Sequence, residues 1–121
     1  MRPANGPVRI EFLWWRGCPS WDTALRDLRD AIRDAGLDPE SVEVREVFSE
    51  QAAEREHFVG SPTIRIDGED VQPPPAGEAL GLTCRIYRLR DGRISPTPDP
   101  ADVREALMEA VGASSFNRKE A

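Results

Sequence analysis

The sequence predicts a single α/β domain with element order β-α-β-α-β-β-α and a mixed four-stranded sheet between layers of helix. Three observations predict it. The chain has 121 residues, 39% of them hydrophobic, which suffices for one core but not for several domains. Segments with period-2 alternation are followed by segments with helical spacing, the pattern of crossover-connected strands. Near the end two strand-like segments occur with no helical stretch between them, so the last pair of strands is expected to run antiparallel.

Each element has a local reason. In Val8 to Trp15, the residues Val8, Ile10, Phe12 and Trp14 face one way and Leu13 and Trp15 the other. Apolar residues on both faces suit a buried central strand. Trp21, Ala24, Leu25, Leu28, Ile32 and Ala35 then recur at helical spacing, with Gly36 placed to end the helix. Pro19 suits the first helical position, which makes Cys18 the expected N-cap. Asp38-Pro39-Glu40 is a turn, and Val42 to Phe48 reads as the second strand. Ser49 caps a short helix through about His57. Thr63 to Asp67 is a third strand, and residues 68–83, with three consecutive prolines, read as a long loop of the functional or mobile kind. Cys84 to Leu89 is the expected fourth strand, turning at Arg90-Asp91-Gly92-Arg93 into a short segment at Ile94. Asp99 and Pro100 open an amphipathic helix through Val103, Ala106, Leu107, Ala110 and Val111, expected to end at Gly112. The domain therefore spans 8–112, with residues 1–7 and 113–121 expected to be flexible ends.

Composition excludes several classes. The formal charge is −6 and no basic stripe opposes it, which argues against nucleic-acid binding. No apolar run approaches the roughly 20 residues of a membrane span, and Met1 to Pro7 lacks the apolar core of a signal peptide. Two cysteines do not make a disulfide scaffold. A cytoplasmic protein with reduced thiols is the expectation. One histidine and two cysteines give no zinc spacing, so no metal and no cofactor is expected.

Cys18 carries the sharpest chemistry. A thiol at a helix start faces unpaired backbone N–H groups and the positive end of the helix dipole, which favour the nucleophilic thiolate. Arg16 would add positive charge; Asp22 would oppose it. Trp14, Trp15 and Trp21 surround the turn, and Trp15 or Trp21 is expected to form an exposed platform beside the thiol. His57 lies among Glu54, Arg55 and Glu56 and reads as a solvated surface group. Arg85, Arg88, Arg90 and Arg93 read as a solvated strand face, with a weak anion or partner site as the alternative.

Two motifs, Gly17-Cys18-Pro19-Ser20-Trp21 opening the first helix and Gly60-Ser61-Pro62-Thr63 preceding the third strand, together with the element order, resemble the thioredoxin superfamily. The resemblance covers residues 8–112 and is nearest to small single-domain thioredoxin-like proteins with a Gly-Cys-Pro turn, some of which are called alkylmercury lyases. It implies a thioredoxin-like three-layer sandwich. It also implies a cis peptide bond before Pro62, facing Cys18, and a substrate groove in which Ser61 offers its backbone to an extended substrate. The family's Cys-x-x-Cys would place a second cysteine at position 21, where this chain has Trp21. Resolution of any mixed disulfide would have to come from a small thiol, a partner or Cys84.

The resemblance also implies that the Cys84 strand starts at the end of the sheet away from the Cys18 turn, about 20 Å off for a strand of six residues, and a free cysteine there is expected to be buried. A single nucleophilic cysteine that exchanges with a thiol- or disulfide-bearing protein or small thiol is therefore the expected function. A non-catalytic peptide- or protein-binding module is the first alternative. Soft-metal or organomercurial binding by Cys18 with Cys84 is the second.

Overall fold

The structure is a computed structural model and describes residues 7–120, with side chains described through Gly112. The expectation of a flexible end over residues 1–6 and at Ala121 lies outside the described residues. Strand β1 (Ile10–Trp14) is followed by helix α1 (Trp21–Asp34), strand β2 (Glu43–Glu46), helix α2 (Glu50–Glu56) and the antiparallel strands β3 (Thr63–Ile66) and β4 (Glu69–Asp70). A hairpin of β5 (Tyr87–Arg88) and β6 (Ile94–Ser95) precedes helix α3 (Pro100–Glu120). The main sheet has four strands in the order β2-β1-β3-β4, with β1 parallel to β2 and antiparallel to β3. The expected mixed four-stranded α/β architecture is present, including the antiparallel pairing of the Thr63 strand with the first strand.

The alternation along β1 divides the core. Ile10 and Phe12 join Ile64 and Ile66 of β3 against Leu25, Leu28 and Ile32 of α1 and Leu107 of α3. On the other face Leu13 packs with Val47, Ala53 of α2 and Phe58. Helices α1 and α3 thus cover one face of the sheet and α2 the other. Glu11 is buried between these hydrophobic neighbours and is neutralised by Arg45, whose Nη2 lies 2.7 Å from its carboxylate. Burial works against the Arg45 charge. Hydrogen bonds to Glu11, Glu56 and Glu43 outweigh it and raise the guanidinium above its ordinary value.

Four elements differ from the sequence reading. Helix α1 starts at Trp21 with Ser20 as its cap, because the Cys18 N–H is already bonded to the Trp15 carbonyl at 3.1 Å in the preceding turn. Cys18 therefore stands before the helix rather than on its cap. The fourth strand is β4, not Cys84 to Leu89. Asp67 and Gly68 both take positive φ (53° and 84°) and fold β4 straight back onto β3, as an Asp-Gly pair does in a two-residue hairpin. With that sheet edge occupied, the later segment pairs locally as β5–β6. Phe48, expected to close β2, is 73% exposed. Finally, α3 runs through Gly112 to Glu120. Glycine ends a helix when it turns left-handed, and Gly112 does not take that φ.

Gly36 does end α1 as expected, with φ 83° and its N–H on the Arg33 carbonyl at 3.0 Å. Ser49 caps α2 through the Ala52 N–H at 3.1 Å, and Asp99 caps α3 through the Ala101 N–H at 2.9 Å.

Tyr87, the only tyrosine, is fully buried and donates its hydroxyl to the Pro62 carbonyl at 2.5 Å. Burial, partly opposed by the nearby Arg85 charge, raises its phenol well above the ordinary value. A raised folded-state value means the protonated phenol stabilises the fold. That contribution is full below the unfolded value of about 10 and is lost as pH rises through the folded one. In a spectrophotometric titration, tyrosinate absorbance is therefore expected to stay flat through about pH 10 and then to rise together with loss of the far-ultraviolet helix signal. A separate tyrosinate step in the folded protein near pH 10 would contradict the burial.

Candidate functional site

The site is assembled where β1 ends and β3 begins. The chain leaves β1 through Trp15 and Arg16 into a turn that delivers Cys18 beneath the sheet end. Trp15 donates its N–H to the Ser61 hydroxyl at 2.9 Å, and the Cys18 thiol donates to the Ser61 carbonyl at 3.4 Å. Ser61 and Pro62 are buried, and the peptide bond between them is cis, as expected from the sequence. Cys18 itself is 1% exposed. The turn does not open the thiol to solvent, because Ser61 and the neighbouring chain cover it.

That covering chain is the segment Thr83–Cys84–Arg85. It lies parallel to Ser61 as an isolated bridge. The Ser61 N–H donates to the Thr83 carbonyl at 2.8 Å, and the Arg85 N–H donates to the Ser61 carbonyl at 2.8 Å. Both backbone groups that the sequence resemblance assigns to an extended substrate are thus taken by the chain itself.

Cys84 consequently sits beside Cys18. Neither cysteine is in a disulfide; Cys18 is buried and Cys84 exposed. A hydrogen bond between the two thiols, with smaller effects of burial and of the Cys18 charge, raises the Cys84 thiol above its ordinary value. The sequence reading placed Cys84 far away and buried, and both expectations are corrected. Residues 71–83 form no strand, so they are free to carry the chain back along the sheet to Ser61. At up to about 3.3 Å per residue, such a stretch easily spans the length of a strand.

Arg85 pins the strap. Its guanidinium is buried and forms two bonds to the Asp70 carboxylate, at 2.6 and 3.0 Å. It also reaches the Gln72 carbonyl and the Thr63 hydroxyl, and lies 4.5 Å above the Tyr87 ring. Gly60, at φ 145°, lies against it. A Cβ there would fall 3.0 Å from the Arg85 Cα and backbone nitrogen.

The remaining predicted residues are dispersed. Arg16 is exposed and paired with Glu46 at 3.0 Å, so the proposed electrostatic support for Cys18 is spent on a carboxylate. Trp14 and Trp21 stack at 4.1 Å between centroids and pack against the α1 core, while Trp15 packs on the α2 side over Gly17. All three indoles are half-buried, and none is a fully exposed platform. His57 is an exposed left-handed cap of α2 (φ 54°), in keeping with a solvated group. The arginines of the hairpin are not a free basic face: Arg85 holds Asp70, Arg90 holds Asp102 and Glu105, and Arg93 holds Asp91. No group of three or more metal-binding side chains occurs among the described residues.

Sequence reasoning missed Arg85, Asp70 and Thr83 as parts of the site. The Asp67-Gly68 pair was the available pointer, since reading it as a hairpin puts Asp70 on the sheet edge. Compared with known proteins, the chain matches no family model, no curated protein and no solved structure.

Two variants test this geometry. Gly60→Ala is expected to push the strap off Ser61 and to cost about 1–3 kcal/mol in a denaturant titration; wild-type stability would mean the close approach is not real. Cys18→Ala removes the partner that raises Cys84, so alkylation of Cys84 near pH 8 is expected to accelerate several-fold. An unchanged rate across pH would mean that Cys18 does not act on the Cys84 thiol.

Proposed function

We propose that this chain is a thioredoxin-like protein that works as a dithiol, with Cys18 and Cys84 cycling between two thiols and an intramolecular disulfide. The fold part of the reading is supported by the β2-β1-β3-β4 order, by helices on both faces, and by Cys18 against Ser61 at the strand end. The functional part is carried by one observation, the placement of both free thiols on Ser61: Cys84 is its bridge partner, and the Cys18 thiol donates to its carbonyl at 3.4 Å. On this reading a dithiol replaces the single nucleophilic cysteine expected from the sequence. A nucleophilic thiol with a second thiol beside it can resolve its own mixed disulfide, and the missing cysteine at position 21 is then no obstacle. In the net reaction the protein loses two electrons and two protons, and one disulfide elsewhere becomes two thiols.

The occupied Ser61 backbone groups do not favour the peptide-binding alternative. Soft-metal binding retains a specific observation: two free sulfurs side by side with no third acidic, thiol or imidazole ligand grouped around them among the described residues. Such a pair suits a two-coordinate thiophilic cation.

Oxidation of the reduced protein with diamide is expected to remove two hydrogens per chain by mass spectrometry, with both cysteines protected from alkylation and released again by dithiothreitol. Intermolecular dimers, or a sulfenic acid on one cysteine, would reject the dithiol cycle. If diamide gives no intramolecular bond while one equivalent of silver ion protects both thiols, the metal reading is the better account.

A further inference from the structure

Resting on the dithiol reading, we propose that Cys84, not the helix-start cysteine, is the thiol that meets the substrate, and that the substrate is a small neutral or cationic organic disulfide rather than an extended polypeptide. Three observations carry this. The first is access. Cys18 is 1% exposed beneath the strap, whereas Cys84 is exposed. An in-line attack on an external disulfide requires an open sulfur, and only Cys84 provides one.

The second is the occupied edge. A polypeptide docking beside Pro62 would need the Ser61 N–H and carbonyl as its pairing partners. Thr83 and Arg85 hold both, and Arg85 is locked by its buried pair with Asp70. The strap leaves neither Ser61 backbone group free for such a chain.

The third is the cleft. Cys84 opens into a depression of about 360 Å³ lined by Val59, Pro74, Ala79 and Ile86, with Glu78 and Arg85 as its charged residues. That volume lies at the small-molecule end of ligand sites. Arg85 is neutralised by Asp70, and Glu78 forms no ion pair among the described residues. The cleft is therefore of mixed polarity, with Gln72 and Thr83 beside its apolar residues and Glu78 as its unbalanced charge, and the whole chain carries a charge of −6. Anionic disulfides are repelled and cationic ones favoured.

The chemistry closes. The Cys84 sulfur, having given up its proton, attacks one sulfur of R–S–S–R. The S–S bond breaks, Cys84–S–S–R forms, and the first RS⁻ leaves and takes up a proton. Cys18, deprotonated in turn, attacks the Cys84 sulfur, the bond to SR breaks, and the second RSH departs. Two electrons and two protons pass from the protein to the substrate: one S–S bond is made in the protein and one is broken in the substrate.

The test uses the full chain and three reagents of similar size: cystamine (cationic), hydroxyethyl disulfide (neutral) and dithiodiglycolate (anionic). Rates are divided by those of 2-mercaptoethanol with the same reagents, which removes intrinsic reactivity. Cystamine is expected to exceed dithiodiglycolate by about 3–10-fold at low salt, with Glu78→Gln moving the ratio toward one. Cys18→Ala is expected to trap a mixed disulfide on Cys84. Cys84→Ala is expected to leave Cys18 at least about tenfold slower than Cys84 in wild type; Cys84→Ser checks that the result is not loss of fold. A Cys18 that reacts at the wild-type rate without Cys84, a ratio at or below one, or an insulin disulfide reduced as fast as hydroxyethyl disulfide would overturn the proposal while leaving a Cys18–Cys84 disulfide intact. Failure of that disulfide to form with any oxidant would instead remove the dithiol reading on which it rests.

Discussion

The buried Arg85–Asp70 pair is the interaction on which the site depends. A guanidinium taken out of water is tolerated only when its donors are satisfied and its charge is matched. Here the match is two-pronged, through both carboxylate oxygens of Asp70. The Tyr87 ring face and the carbonyl of Gln72 complete its surroundings. Removing one partner of such a pair leaves a stranded charge worth about 3–5 kcal/mol. The strap carrying Cys84 is therefore attached to β4 by a bond that does not open without a large penalty.

This anchoring connects a local turn to a distant thiol. Asp67 and Gly68 reverse the chain after β3, β4 places Asp70 on the sheet edge, Asp70 fixes Arg85, and Arg85 sets its neighbour Cys84 beside Ser61. From the other direction β1 delivers Cys18 to the same serine. Ser61 is the common point: its hydroxyl holds Trp15, its N–H and carbonyl hold Thr83 and Arg85 of the strap, and its carbonyl also accepts from the Cys18 thiol. A residue with every polar group engaged is rigid, and rigidity is what keeps two sulfurs in register without a covalent bond between them.

The charges elsewhere on the sheet are matched in the same way. Glu11, Glu43 and Glu56 converge on Arg45, and Arg65 adds to Glu56. Arg16 is drawn to Glu46 in the same way. The arginines near the site are consumed in pairs: Arg16 by Glu46 and Arg85 by Asp70.

The sequence by itself determined the elements whose cause is local. The period-2 alternation of β1, the helical spacing of α1, the Ser49 and Asp99 caps and the Gly36 stop all act within a few residues, so each is written where it operates. It also marked Cys18, Ser61 and Pro62 as neighbours by motif. Tertiary structure alone decided where Cys84 goes. Its position is set by Asp70, fifteen residues before Arg85, across a loop with no periodicity to read. The same holds for the burial of Cys18: nothing near residue 18 announces that residues 83–85 will lie over it. An ion pair between distant side chains leaves no period in the chain, because its energy depends on where the two ends meet and not on what lies between them.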